Sequence, residues 1–299
     1  VGECKMPELN IDGRTSLYAL AGKYIGFSPI PGFLNTIISF MCYNSIMMPF
    51  DTNHYDVHMV LDALQILNCK GIYIDTPHRC DMDGILSSQT EEARISGAVN
   101  VVRTDGRGYC GNNTEIKAFQ KAFPLISGEE LAGKEIFLIG SGGIARSIAV
   151  ACAYESCKRL TIINRTQEKS KQLCERINER FGNVSMAADV NESETIHSFY
   201  NADIIINATS VGMFPDIDKH SLPENYNFLS HHLVFDVVYS PPQTKLVQLA
   251  TNKCCRAVNG KDIMFYSCIE AFQWWTNVKI DEEAENKLFH LWKEMIYNI

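Results

Sequence analysis

The sequence predicts an α/β protein of two domains, the second of which is built on a doubly wound parallel sheet. Strand-like apolar runs alternate with helix-like segments along the whole chain, which is the pattern of α/β folds. The 299 residues, 46% of them hydrophobic and 21% charged, are also enough for two medium-sized hydrophobic cores.

In residues 1–126, short apolar runs predict strands, and segments with apolar residues at helical spacing predict helices. The expected strands are Ser16–Gly22, Tyr43–Met48, Gly71–Thr76 and Ala98–Arg103, and the expected helices are Gly32–Cys42, Tyr55–Asn68, Gln89–Ser96 and Asn113–Phe123. Pro124 and Gly128 then predict a linker, because proline and glycine interrupt regular elements. We therefore expect a first domain over residues 1–126.

Residues 127–260 contain six further strand-like runs separated by helical segments, the number that a complete dinucleotide-binding fold requires. The runs are Ile136–Gly140, Leu160–Asn164, Val184–Ala188, Asp203–Thr209, Leu233–Tyr239 and Cys255–Val258. Two helices are expected in residues 261–299, Ile263–Thr276 and Asp281–Tyr297. Their apolar and aromatic residues need a partner surface. We expect them to pack on the first domain, bringing Ser267 toward Arg79 and Glu115 at a cleft between the domains.

A glycine cluster lies between the first strand of the second domain and the helix that follows. Gly140, Gly142 and Gly143 surround Ser141 and allow a tight turn with close backbone approach to a ligand, and the helix then begins at Ile144 and Ala145. Backbone N–H groups at such a helix start, together with the helix dipole, bind a pyrophosphate. The cluster alone is weak evidence, because plain strand-to-helix turns also contain glycines.

The end of the next predicted strand indicates which dinucleotide is bound. Asn164 follows Gly140 by about 24 residues, close to the position where an NAD-binding fold carries an acid on the ribose hydroxyl. Here the position is neutral and is followed by Arg165, Thr166 and Lys169, which can bind a 2′-phosphate. We therefore predict NADP as the cofactor. The alternative is a doubly wound fold with an ordinary surface arginine.

Composition excludes several classes of function. A net charge of −8 argues against a nucleic-acid or anionic-membrane surface. No apolar run has the length of a membrane span, and we expect no signal peptide at Val1. The 11 cysteines are scattered without CxxC spacing, so we expect reduced thiols in a cytoplasmic protein and no bound metal.

Several short motifs follow one another in a characteristic order. They are residues 97–100 (Gly-Ala-Val-Asn), 113–115 (Asn-Thr-acid), 140–146 (Gly-Ser-Gly-Gly-Ile-Ala-Arg), 164–166 (Asn-Arg-Thr), 207–213 (Asn-Ala-Thr-Ser-Val-Gly-Met), 236–244 (Asp-Val-Val-Tyr-Ser-Pro-Pro-Gln-Thr) and 271–276 (Ala-Phe-Gln-Trp-Trp-Thr). In this order they resemble the shikimate dehydrogenase family over nearly the whole chain. The resemblance implies a substrate domain, a Rossmann-type NADP domain, and reversible reduction of 3-dehydroshikimate to shikimate. It also implies cofactor contacts from Ala208, Thr209, Ser210, Val237 and Gly260.

The substrate half departs from the family pattern. Arg79 stands where the family has its catalytic lysine, and Glu115 stands where it has the paired aspartate. Tyr73 and Asp75 replace an asparagine and a threonine, and Ser267 replaces a glutamine. The resemblance thus implies Arg79 and Glu115 as the catalytic residues. The substrate-binding residues would be Ser28, Asp75, Asn100, Asn113, Tyr239 and Ser267.

Elementary chemistry indicates what these exchanges do. Arginine stays protonated near neutral pH and is a poor base, although its fork of donors can orient a hydroxyl or a carbonyl. Glu115 reaches about 1.5 Å further than an aspartate would, so acid and base can be exchanged within the pair. If Asp75 and Tyr73 share one face of their strand, Asp75 can pair with Arg79. Its added negative charge disfavours anionic shikimate.

Three functions remain open from the sequence. The first is an NADP-dependent dehydrogenase acting on shikimate or a related polyhydroxylated ring acid. The second is a family paralogue that reduces a different, less acidic carbonyl compound. The third is a nucleotide-binding protein with lost or weak catalysis. In each case we expect a small-molecule ligand and a monomer or homodimer.

The first testable prediction concerns the cofactor. Losing a charge-assisted contact to phosphate typically costs about 1.5–3 kcal/mol. Replacing Arg165 by alanine should therefore weaken NADPH binding about tenfold or more and leave NADH binding almost unchanged. Calorimetric titration with both dinucleotides measures this difference. An equal loss for the two would contradict the assignment.

Overall fold

The computed structural model describes residues 11–52, 56–82, 84–104, 108–224 and 226–297. Contacts divide the chain into two compact units. Unit 1 comprises the described parts of Val1–Ala93, Ala98–Thr114 and Ser267–Ile299, and unit 2 comprises those of Arg94–Gly97 and Glu115–Tyr266. Both units contain a six-stranded sheet with helices, which confirms the predicted α/β class. None of the helices in the described ranges combines the length and the apolar character needed to span a membrane.

The sheet of unit 1 is mixed. Its strands are β1 (Ser16–Gly22), β2 (Ser45–Asp51), β3 (Gly71–Ile74), β4 (Leu86–Gln89), β5 (Val101–Thr104) and β6 (Tyr109–Asn112), and its helices include α1 (Ile30–Phe40) and α2 (Val57–Ile66). The order is β2-β1-β3-β5-β6-β4, with β1 parallel to β2 and β3, and β5 antiparallel to β3 and β6. Helix α3 (Glu91–Ser96) follows β4.

Two strands of this sheet were missed by the sequence analysis. Strand β4 has the sequence Leu-Ser-Ser-Gln and is largely exposed, and β6 has the sequence Tyr-Cys-Gly-Asn. Neither carries the apolar alternation that predicts a strand. Backbone hydrogen bonds between β4 and β6, and between β6 and β5, stabilise these strands instead. Strand β2 also begins two residues later than expected, and the expected helix at Tyr55–Asn68 starts on a residue outside the described ranges.

The linker expected at Pro124 is wrong. Helix α4 (Glu115–Ser127) continues through Pro124 and ends before Gly128, which has a φ of +65°. A proline inside a helix removes one backbone hydrogen bond. The last turn is nevertheless closed by Gly128 N–H, which donates to the Pro124 carbonyl at 2.8 Å, and the fully buried Phe123 packs on Phe235.

Unit 2 contains the predicted doubly wound sheet. Its strands are β7 (Glu135–Ile139), β8 (Arg159–Ile163), β9 (Ser185–Ala188), β10 (Ile204–Asn207), β11 (Leu233–Asp236) and β12 (Arg256–Asn259), and its helices include α5 (Gly143–Tyr154), α6 (Gln167–Phe181), α7 (Ser193–Tyr200) and α8 (Lys245–Asn252). All pairings are parallel, in the order β12-β11-β10-β7-β8-β9. The strand order therefore reverses between β7 and β10, and ligands of such folds bind at the carboxyl ends of the strands there.

The last two helices are α9 (Ile263–Thr276) and α10 (Glu282–Tyr297), and from Ser267 onward the chain belongs to unit 1. The indole of Trp275 lies 5.1 Å from the ring of Tyr18, and its Nε1–H donates to the Val102 carbonyl at 3.0 Å. The buried Trp292 meets Phe33 at 4.9 Å. These contacts provide the apolar partner surface that the helices need. The division into domains at residues 126 and 260 stays a prediction.

A buried carboxylate joins the ends of β10 and β11 in unit 2. Asp236 is fully buried and accepts hydrogen bonds from the Asn207 amide at 2.8 Å, the Thr244 hydroxyl at 2.6 Å and the Val238 N–H at 3.1 Å. Burial raises the pKa of Asp236 above its ordinary value, although the three hydrogen bonds act in the opposite direction. The folded protein thus favours the protonated carboxyl more than the unfolded chain does.

This raised pKa generates a prediction about stability. A group whose pKa is higher in the folded state stabilises the fold most at low pH, and the contribution is lost as pH rises through the folded-state pKa. An asparagine at position 236 can keep the same shape, with its NH2 donating to Thr244. The unfolding free energy of the wild type relative to Asp236→Asn should therefore increase as pH falls from 7 toward 4. Urea titrations of both proteins across this range measure it, and a change in the opposite direction would refute the interpretation.

Candidate active site

The glycine-rich turn of unit 2 begins with a residue that must be glycine. Gly140 has a φ of +116°, and a Cβ on it would lie 2.9 Å from the carbonyl oxygen of Ala208. The Gly140 N–H donates to the Ile163 carbonyl at 2.9 Å, and the Ala208 N–H donates to the Ile139 carbonyl at 2.9 Å. The turn after β7 therefore lies directly beside Ala208 and Thr209, as the predicted cofactor residues require.

The start of helix α5 offers donors to a ligand. Gly142 precedes the helix in an extended conformation, is exposed, and has no atom within 4 Å of an added Cβ. Gly143 and Ile144 are half-buried and Ala145 is buried. The hydroxyl of Ser141 is buried and has no hydrogen-bond partner among the described residues. Open space, helix N–H groups and an orphaned hydroxyl together fit a dinucleotide pyrophosphate.

The segment after β8 keeps its polar side chains accessible. Arg165, Thr166 and Lys169 are exposed, and Thr166 precedes helix α6 without capping it through its hydroxyl. The Asn164 amide donates to the Thr166 carbonyl at 2.8 Å, which shapes the turn. A guanidinium, a hydroxyl and an ammonium are thus displayed where the sequence predicts a 2′-phosphate.

The remaining cofactor candidates are organised by Asn207. Its Oδ1 accepts from both the N–H and the hydroxyl of Thr209, at 3.2 and 2.8 Å, and its carbonyl accepts from the Val237 N–H at 2.9 Å. A Cβ on Gly260 would come within 3.1 Å of the Val237 Cα, so the chain after β12 also reaches this edge. Ser210 is exposed and Tyr239 is half-buried.

In unit 1, the carboxyl end of β3 carries an ion pair. Arg79 Nη2 lies 3.0 Å from Asp75 Oδ1, and Arg79 Nε–H donates to the Ile74 carbonyl at 3.3 Å. The Arg79 carbonyl also accepts from the Val99 N–H at 2.8 Å. This is the pairing predicted from the sequence. Part of the donor capacity of Arg79, and its charge, are thus engaged by Asp75.

Four buried polar residues of unit 1 bind one another. The Tyr73 and Ser267 hydroxyls lie 2.7 Å apart, and the Asn100 amide donates to Ser267 Oγ at 3.2 Å and to Thr114 Oγ1 at 2.9 Å. Asn100 Oδ1 accepts from the Thr114 N–H at 2.8 Å. The side chains of this polar network are no more than 3% exposed. The network therefore brings Asn100 and Ser267 together, and both side chains contact protein partners; their role in substrate binding stays a prediction.

The other predicted residues lie in separate local settings. Asn113 is buried and donates to the Ala98 carbonyl at 3.1 Å, and half-buried Ser28 ends a short 3₁₀ turn, where its hydroxyl accepts from the Ile30 N–H at 3.4 Å. In unit 2, Glu115 is 4% exposed and accepts from the Ser147 hydroxyl at 3.1 Å.

Four residues without a predicted role hold these candidates in place. Thr114 and Tyr73 complete the polar network, Ser147 contacts Glu115, and Arg146 contacts the glycine-rich turn. A polar or charged residue inside the Ala- and Ile-rich helix α5 is a signal that could have identified Ser147 and Arg146. No local pattern distinguishes the other two.

Comparisons with known proteins agree with this architecture. A family model described as Shikimate / quinate 5-dehydrogenase matches residues 122–237. The shikimate dehydrogenase (NADP(+)) of Alkaliphilus oremlandii is 30% identical over 269 residues, covering 90% of this chain and 94% of that protein. The crystal structure of shikimate 5-dehydrogenase from Listeria monocytogenes in complex with shikimate and NAD gives a TM-score of 0.81 at 25% identity, covering 93% of this chain and 98% of that chain. A shikimate dehydrogenase in complex with NADP+ gives 0.77 at 27% identity, covering 94% and 97%. This chain belongs to the shikimate/quinate dehydrogenase family.

Proposed function

We propose that this protein is an NADP-dependent dehydrogenase that reversibly reduces a ring carbonyl, with 3-dehydroshikimate and shikimate as the first candidate pair. The observation that carries the proposal is the edge of unit 2 where the glycine-rich turn, an orphaned Ser141 hydroxyl and the exposed Arg165 occur on one doubly wound sheet. The NADP named in the relatives is consistent with it. A cytoplasmic location and a monomeric or homodimeric state stay predictions.

The residues of unit 2 have distinct proposed tasks in binding NADP. The N–H groups from Gly142 onward bind the pyrophosphate, and Arg165, Thr166 and Lys169 bind the 2′-phosphate. Ala208, Thr209, Ser210, Val237 and Gly260 line the neighbouring edge. Bound NADP+ supplies a hydride acceptor in the oxidation of the alcohol, and NADPH supplies the hydride in the reverse direction.

Arg79 and Glu115 are proposed to handle the proton. The Glu115 carboxylate accepts the proton of the substrate hydroxyl during oxidation and returns it during reduction, because a guanidinium is a poor base near neutral pH. Arg79 donates hydrogen bonds that orient the substrate oxygen. Ser147 keeps one Glu115 oxygen in place through its hydroxyl. Ser28, Asn113 and Tyr239 are proposed to contact the substrate.

A second candidate function is favoured by the side chains of unit 1. The charge of Arg79 is paired with Asp75, and the amide of Asn100 and the hydroxyl of Ser267 are engaged in the polar network. A substrate carboxylate would meet these groups already partnered, and the negative charge of Asp75 would repel it. A family paralogue that reduces a less acidic carbonyl compound accommodates these facts better than an enzyme for an anionic ring acid.

A substrate screen separates the two candidates. NADPH oxidation and NADP+ reduction are followed by absorbance with shikimate, quinate, their dehydro forms and neutral polyol analogues. Preference for the acids supports the first candidate, and preference for neutral carbonyl compounds supports the second. Tight NADPH binding without turnover of any compound would point to a nucleotide-binding protein that has lost catalysis.

Restoring the family residues tests the catalytic assignment. We expect slow or undetectable shikimate oxidation by the wild type at neutral pH, because general acid–base assistance is worth about 10²–10⁴ in rate. Arg79→Lys should recover part of kcat, and adding Asp75→Thr should mainly lower KM by removing the repulsion. Steady-state kinetics at several shikimate concentrations measure both effects.

An exposed arginine provides the matched control for this experiment. Arg159→Lys makes the same exchange at the amino end of β8 and should change neither kcat nor KM. Efficient shikimate oxidation by the wild type, with no improvement in either variant, would show that Arg79 and Glu115 already form a competent pair.

A further inference from the structure

Arg146 is a buried cation beside the glycine-rich turn. It lies on the first turn of helix α5 and is 8% exposed. Its Nε–H donates to the Ser141 carbonyl at 3.1 Å, and its Nη1 donates to the Ser96 carbonyl at 3.1 Å. Its backbone N–H donates to the Gly142 carbonyl at 2.9 Å. One residue thus holds two successive carbonyls of the turn, one through its side chain and one through its main chain.

Holding the Ser141 carbonyl fixes the direction of a ligand-facing donor. In a trans peptide, the carbonyl of one residue and the N–H of the next lie in one plane and point in opposite directions. Because Arg146 binds the Ser141 carbonyl, the Gly142 N–H must point away from the guanidinium. Gly142 is exposed and has open space around it, so this N–H is directed to where a phosphate can reach it.

Arg146 forms no ion pair with a carboxylate of the described residues. The hydrogen bonds of its guanidinium go to carbonyl oxygens. A second guanidinium lies close by, since a Cβ on Gly97 would be 3.0 Å from Arg146 Nη1 and 3.4 Å from Arg176 Cζ. Burying an uncompensated charge is costly. A bound anion at the adjacent helix start would offset this cost.

We propose that Arg146 is a positioning residue for the dinucleotide pyrophosphate. Its guanidinium donates to the Ser141 and Ser96 carbonyls, and this orients the Gly142 N–H toward the phosphate. Its buried positive charge also favours binding of the anion. The inference rests on the proposed function, because it presumes that a dinucleotide occupies this edge of unit 2. It predicts that Arg146 acts on the pyrophosphate, which NADPH and NADH share, and leaves the 2′-phosphate contacts of Arg165 unaffected.

Three probes separate these contacts by calorimetric titration of the full chain. NADPH carries both the pyrophosphate and the 2′-phosphate, NADH carries only the pyrophosphate, and adenosine 2′-monophosphate carries the 2′-phosphate with no phosphate on its 5′ oxygen. Arg146→Met should weaken NADPH and NADH alike by about tenfold or more. The affinity of Arg146→Met for adenosine 2′-monophosphate should stay within about twofold of the wild type. Arg165→Ala should give the complementary result, with losses for NADPH and the 2′-monophosphate only.

Two further variants make the result decisive. Arg146→Lys keeps a positive charge, but a single ammonium cannot replace a fork that bonds two carbonyls from two nitrogens, so we expect a loss of at least about threefold for both dinucleotides. Arg159→Met is the matched control, because it makes the same exchange at an exposed arginine of unit 2 and should bind all three probes normally.

Each outcome bears on one claim. Unchanged dinucleotide binding in Arg146→Met, or full affinity in Arg146→Lys, would overturn the positioning role and leave the proposed function intact. Loss of adenosine 2′-monophosphate binding together with both dinucleotides in Arg146→Met and Arg146→Lys would show a merely structural residue and also overturn it. A wild type that binds neither dinucleotide would refute the proposed function itself, and this inference with it.

Discussion

The close approach of two strand ends, β7 and β10, is the constraint on which the proposed cofactor edge depends. The strands pair in register up to Ile139 and Asn207, and the chain must then turn away within one residue. Only glycine fits at position 140, because its φ is positive and the Ala208 carbonyl oxygen occupies the place of a side chain. The turn after β7 and the loop after β10 consequently border one crevice. Backbone N–H groups at the helix start beside this turn can bind phosphate.

In unit 1, the corresponding constraint is that buried polar side chains must form hydrogen bonds with one another. Tyr73, Ser267, Asn100 and Thr114 satisfy one another in one connected network. In such a network an exchange at one position leaves a buried group unpaired unless its partner changes too. The long phenol of Tyr73 is matched by the short hydroxyl of Ser267. Tyr73 and Ser267, two departures from the family pattern that the resemblance implies, thus contact each other in this fold.

The fold of unit 2 could be predicted because its signals are local. Six apolar runs bounded by glycine or polar residues became six parallel strands, and Gly140 is required by its own backbone conformation. The polar network was beyond such reasoning, since Tyr73 and Ser267 are 194 positions apart and neither sits in an unusual local pattern. Strands β4 and β6 were missed for the same reason, because pairing and not composition makes them strands. The ion pair of Asp75 and Arg79 was predictable, because four residues separate them at one strand end.

Arg79 in unit 1 and Arg146 in unit 2 both bond to protein groups, but they differ in the charge that each presents to a ligand. In unit 1, Arg79 is 3.0 Å from a carboxylate, so the pair has no net charge and offers little attraction to an anion. In unit 2, the side chain of Arg146 binds carbonyl oxygens and pairs with no carboxylate among the described residues, beside a helix start that already favours anions. An anionic ligand therefore gains more free energy in unit 2, and a neutral ligand is better tolerated in unit 1.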